Sequence, residues 1–222
     1  MNNSNNIIIW RDNYKNIKFN TKVTNPENCN LVVMQNGVIR RVKRMEDNII
    51  NPRKFSLLKC NIDANEYTVF KIKPNYFDGT WGGNVQYLDK TFSNIQEKVF
   101  IQASYSYRIY DPERAILLIS DNFKVYESKY INLKVNLKID NIIKSYIVRR
   151  LNEVGFIETQ NDIIQLSRDA EEQINEHILP VFGIELVNLN FLLEESDDHY
   201  YFRKEYEWNK IKEKEVNENG IV

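Results

Sequence analysis

Apolar and polar residues alternate most cleanly between Val99 and Ile109. Val99, Ile101, Ala103, Tyr105, Tyr107 and Ile109 fall on one side, and Phe100, Gln102, Ser104, Ser106 and Arg108 on the other. A period of two predicts a strand with one packed face. Asp111-Pro112-Glu113 then predicts a helix start, because Asp caps, Pro fits the first turn and an acid suits the positive end. Arg114–Ile119 reads as a short helix on the sheet. Upstream, Ile7–Trp10, Leu31–Met34, Val38–Val42, Phe55–Leu58 and Glu66–Ile72 read as strands. Tyr67, Val69 and Lys71 share one side of the last of these. Asn36-Gly37, set between two apolar runs, predicts a type I′ hairpin turn, whose central residues both need positive φ. Gly79-Thr80-Trp81-Gly82-Gly83 predicts a turn.

The middle of the chain supports two periods at once. Ile131, Leu133, Val135, Leu137 and Ile139 alternate like a strand, while Ile131, Val135, Ile139, Ile142, Tyr146 and Ile147 share a helical face. Helical spacing continues through Ile143, Leu151 and Val154, where alternation stops, so a helix is predicted, with Gly155 as its stop. Thr159-Gln160-Asn161-Asp162 offers caps for a second helix. Its stripe is Ile163, Leu166, Ala170, Ile174, Ile178 and Val181, and Pro180 and Gly183 end it. Ile184–Leu193 reads as a strand. Ser196-Asp197-Asp198 caps a last, highly charged helix running from His199 toward Val216. The order, strands and then helix-helix-strand-helix, predicts an α+β fold with an antiparallel or mixed sheet in the N-terminal half and helices packed on it. The expected layout is one domain over 1–195, divisible near 75/76, and a charged helix over 196–222.

Composition narrows the classes. The 222 residues carry 30 basic and 31 acidic side chains, a net charge of -1, with 42% apolar residues. This balance gives no electrostatic reason to bind nucleic acid. No run of about 18 apolar residues is present, so no membrane-crossing helix is expected. The first ten residues lack the pattern of a signal peptide. Two cysteines without CxxC spacing, Cys29 and Cys60, suit a reduced, cytoplasmic protein, and only parity speaks for pairing them.

Candidate chemistry is sparse. Gly79–Gly83 lacks the Lys-Ser/Thr of a phosphate loop. His177 and His199 are the only histidines, and each stands alone in sequence, so no metal site is expected. No nucleophile–base signature occurs. Glu171-Glu172, Glu194-Glu195 and Asp197-Asp198 read as solvated faces. The basic run Arg40-Arg41-Val42-Lys43-Arg44 reads as a hairpin edge that discourages strand pairing, with contact to lipid or nucleic-acid phosphate as its alternative role. The expectation is therefore no catalytic residue and no cofactor. Contact with a membrane or partner protein would fall to Ile8, Ile9 and Trp10, with an edge strand as their alternative role. Trp81 is a core plug or, if exposed, a partner contact. Tyr206, Trp208 and Ile211 are the contact candidates on the last helix.

Several of these segments together resemble the stomatin–prohibitin–flotillin (SPFH, band 7) family, in its bacterial virion-core-protein-like branch. The resemblance rests on Trp81-Gly82-Gly83, Asp89, Tyr105–Ile109 (YSYRI) and Asp111-Pro112. It extends to Ile8–Asp12, Leu31–Val42, Asn51–Leu58 and Ile178–Leu193. Ile9 stands where that branch usually has Glu, and Ala103-Ser104 where it usually has Gly. The family's long C-terminal coiled coil and zinc ribbon are not within these residues. The resemblance implies an SPFH α+β scaffold that forms homo-oligomers and organises other proteins, including membrane proteins, from a cytoplasmic or peripheral position. A soluble structural component of a particle is the alternative, and an enzyme built on dispersed carboxylates ranks last.

Overall fold

The computed structural model describes residues 7–15, 22–25, 28–44, 54–56, 66–89, 95–119 and 123–219. The chain forms two compact units. One comprises Met1–Gly79, Tyr105–Ile139 and Gln173–Val187; the other comprises Thr80–Ser104, Asp140–Glu172 and Asn188–Val222. Each is therefore built from three separate stretches, where the sequence predicted one contiguous boundary near 75/76. The last helix belongs to the second unit rather than standing as an appendage.

Strands β1 (Ile7–Lys15), β2 (Lys22–Thr24), β3 (Asn30–Gln35), β4 (Val38–Lys43), β5 (Lys54–Ser56) and β6 (Glu66–Ile72) lie in the first unit. With β9 (Val125–Glu127) they give a five-stranded sheet of order β4-β3-β6-β1-β9 and a separate β2-β5 pair. Asn36 and Gly37 have φ of 49° and 78°, so the β3–β4 turn forms as the Asn-Gly pair predicts. β6 is flanked on both sides, by β1 and β3, both antiparallel. Val69, Phe70, Lys71 and Ile72 are all buried, so both faces of this part of β6 are covered, where one-sided alternation was expected. Lys71 is accommodated by an ion pair with Asp12 at 2.5 Å. Val23, Leu31, Val33, Tyr67 and Val69 form a core cluster, with Tyr14 packed against it.

β7 (Tyr76–Asp89) and β8 (Ile95–Ile109) join β10 (Ile184–Glu195) in a three-stranded sheet of order β10-β8-β7. All six residues of β8's predicted inner face are buried. The Gly79–Gly83 segment is not a turn; it lies inside β7. Its glycines are there for close approach. A Cβ on Gly79 would sit 2.4 Å from the Tyr105 ring, and one on Gly82 would sit 3.3 Å from Phe100. Glycine here makes room for aromatics from the adjacent strand, a use that local turn rules do not separate from chain reversal.

Helix α1 (Pro112–Ala115) starts as predicted: Asp111 Oδ1 accepts hydrogen bonds from the amides of Glu113 and Arg114. It continues into a 3₁₀ turn over Ile116–Leu118. Helix α2 (Ser128–Asn161) confirms the helical reading, with Ile131, Val135, Ile139, Ile143, Ile147 and Leu151 all buried at every fourth position. Gly155 (φ 81°, ψ 179°) leaves the helical region and separates the helix before it from a second helical stretch that follows at once, so the predicted stop is there. Thr159 is therefore inside a helix, and its hydroxyl donates back to Gly155 O at 2.7 Å instead of capping the next one. Helix α3 (Ile163–Gln173) passes through a π turn over Ile174–Ile178 and a 3₁₀ turn over Leu179–Phe182 to a left-handed Gly183. Val181 is exposed there, not part of the inner stripe. The chain ends its described course in α4 (Asp197–Asn219).

Polar residues spaced by four along α2 receive the tips of sheet aromatics. In the first unit Tyr107 Oη donates to Asn132 at 2.7 Å, and Tyr105 Oη donates to Asn136. In the second, Trp81 Nε1 donates to Asp140 Oδ1 at 3.1 Å. Each aromatic body is thus buried while its one polar atom stays satisfied.

Candidate functional site

The second unit holds a closed cluster of ionisable side chains where β7 and β10 end and α4 begins. Its residues arrive by simple local rules. Tyr87 and Asp89 are two apart on β7 and so share a face. Glu195 ends β10, and Ser196 Oγ accepts the His199 amide at 3.2 Å, capping α4. Glu195, His199, Arg203 and Glu207 then follow at intervals of four and line one side of the chain.

The imidazole of His199 lies between two carboxylates. Nε2 is 3.3 Å from Asp89 Oδ2, and Nδ1 is 3.0 Å from Glu195 Oε2. Tyr87 Oη donates to Asp89 Oδ2 at 3.0 Å and lies 3.5 Å from His199 Nε2. Arg203 lays its guanidinium fork on Glu195, with Nη2 to Oε1 at 2.5 Å and Nε to Oε2 at 3.3 Å, and reaches Glu207 at 3.1 Å. The rings of Tyr87 and Phe156 meet His199 edge-on at 6.2 and 6.0 Å. Side-chain exposure is 1% for His199 and 0% for Asp89. Burial first, then the charge of Asp89, pushes the Tyr87 hydroxyl well above the usual tyrosine range. The hydrogen bond to Glu195 raises Arg203 further above its ordinary value.

Tyr87, Asp89, Glu195, His199 and Arg203 pair with one another and are nearly closed to solvent, while Glu207 is 44% exposed. Because the two carboxylates approach opposite ring nitrogens, they do not converge on a common point as ligands would. Among the described residues, no group of three or more His, Cys, Asp or Glu side chains is placed to hold a metal ion. The cluster's chemistry is that of an ionic staple that fixes the first two turns of α4.

Beyond the staple, α4 turns outward. No residue from Lys204 through Lys214 is buried. Tyr201 is 69% exposed, Trp208 59% and Ile211 50%. Tyr201 and Trp208 are seven apart and share a face. Tyr206 is seven from His199 and three from Arg203, so it lies on the staple's side of the helix and is only half-exposed. Lys210 lies over its ring at 4.7 Å.

The other contact candidates are withdrawn from the surface. Ile8 and Ile9 are 0% and 1% exposed in β1, an interior strand of its sheet, and are core residues rather than a membrane or partner segment. Trp10 is half-buried with Lys73 over its ring at 5.3 Å. Trp81 is a core plug, 7% exposed. Among the remaining candidates, β4 is an edge strand on which Arg40 is exposed and Arg41 and Lys43 are half-buried, while Cys60 lies outside the described residues. His199 is the residue that sequence reasoning missed: reading it as solitary overlooked Glu195-x₃-His199-x₃-Arg203-x₃-Glu207, in which acids flank a His and an Arg at spacings of four.

No known protein family matches this chain, and no curated protein matches it.

Proposed function

We propose that this chain is a non-enzymatic scaffold domain of SPFH type that self-associates and organises partner proteins. The observation that carries the reading is α4: a helix whose root is fixed by buried charges and whose outer turns present Tyr201, Trp208 and Ile211 to solvent. Exposed large aromatics on a helix with a rigid base are the residue types that anchor interfaces. The SPFH assignment is supported by the mixed α+β architecture with antiparallel sheets and by the strand β8 running into the Asp111-Pro112 helix start. Among the described residues no helix is long and apolar enough to cross a membrane.

A second reading, a soluble structural component of a larger assembly, gains from the burial of Ile8 and Ile9, which takes the apolar N-terminal run away from lipid. In the first reading, membrane contact is made through a partner. Flotation of the purified chain with anionic liposomes, with and without detergent-extracted membrane proteins, separates the two. Recovery in the top fraction only with membrane proteins supports the first. Absence from it in every condition supports the second.

A further inference from the structure

We infer that α4 pairs with α4 of a second copy of this chain, antiparallel, about a two-fold axis passing near Lys204 and Glu205. This rests on the self-association proposed above and specifies its geometry. The face opposite His199 and Arg203 carries Asp197, Tyr201, Lys204, Glu205, Trp208 and Lys212, and all six are exposed. Placing the axis between Lys204 and Glu205 makes this face complementary to itself. Tyr201 meets Trp208 of the second copy, Lys204 meets Glu205, and Asp197 meets Lys212, and each contact occurs twice by symmetry. A parallel, in-register pair would instead set Lys204 on Lys204, Glu205 on Glu205 and Lys212 on Lys212, which like-charge repulsion disfavours. The intrahelical contacts that these side chains make now, Lys204 with Glu207 and over Tyr200, Tyr201 edge-on to Tyr200, and Lys212 over Trp208, join solvent-exposed or half-exposed groups and are weak, so they yield readily to a partner. The staple contributes by holding the opposite face down, so that the complementary face always points outward.

The test is disulfide trapping in the full chain with Cys60→Ser, keeping Tyr201 and Trp208 intact. Asp197→Cys and Lys212→Cys chains are oxidised separately and as a mixture, beside sedimentation of the parent. The inference expects a mixed Asp197→Cys/Lys212→Cys cross-link as the dominant product, since a parallel pair would hold those positions about 22 Å apart along the helix. Homodimeric cross-links of Lys212→Cys with no mixed product would overturn it while leaving self-association standing. A parent that sediments above monomer size with no cross-link in any combination does the same. A parent that stays monomeric at high concentration overturns both.

Discussion

His199 Nε2 lies 3.3 Å from Asp89 Oδ2 with both side chains closed to solvent, joining the first turn of α4 to the end of β7. Truncating a fully buried side chain costs both the contacts it makes and the void it leaves. His199→Ala should cost roughly 3–5 kcal/mol in denaturant unfolding, because it leaves a void in a closed site and removes the ring that lies between Asp89 and Glu195. Asp89→Asn/His199→Ala together should cost less than the sum of the single changes. Strict additivity would show that the two do not act on each other.

Gly79→Ala tests whether β7 is a strand through its glycines. The added methyl meets the Tyr105 ring, whereas at Gly82 it meets Phe100 with 0.9 Å more room (3.3 against 2.4 Å). Overpacking of this kind typically costs about 1–3 kcal/mol, so Gly79→Ala should lose stability and Gly82→Ala distinctly less. Equal, negligible effects in melts would return the segment to an open turn.

The two faces of β8 should differ sharply. Tyr105→Ala removes a buried aromatic and is expected to cost about 3–5 kcal/mol. Arg108 pairs with Glu185, but both are substantially exposed, so Arg108→Ala should cost under about 1 kcal/mol. A reversed order would mean the register of β8 is wrong.

Several tyrosines make stability fall at alkaline pH. Burial, with Asp12 adding, pushes Tyr14 up to about 12 from 10.0, and burial raises Tyr105 and Tyr107 as well. A raised folded-state pKa means that the unfolded chain loses its proton first. The stabilisation is thus complete below pH 10 and is lost as pH rises toward 12 and beyond. Unfolding free energy measured across that window should decline, and more shallowly in Tyr14→Phe. A flat profile, or tyrosinate absorbance that titrates fully near pH 10, contradicts this.

Much of the fold was legible where one local rule acted without competition. The period-two run from Val99 to Ile109, the Asn36-Gly37 turn and the Asp111 cap each depend on neighbours in sequence alone. Gly79–Gly83 misled because glycine serves both turns and close packing, and the Tyr105 ring that decides between them comes from another strand. Thr159 misled because a further helical stretch starts directly after the break at Gly155 and already contains it. The staple was half-visible: the four-residue spacing from Glu195 to Glu207 is local, but Asp89 and Tyr87 reach His199 only through the fold. Because that staple holds α4, cutting the chain after Ser196 would strand Asp89 and Glu195, and surface substitutions are the cleaner probe of association.

The central claim, that α4 carries self-association, is tested most directly by sedimentation velocity of the full chain against Tyr201→Ser/Trp208→Ser. Both positions face solvent and lie away from the staple, so the variant should unfold at the same denaturant concentration as the parent. The parent should sediment as a concentration-dependent species larger than a monomer, and the variant should shift to monomer. A parent that remains monomeric at high concentration, or a variant that associates as the parent does, would contradict it.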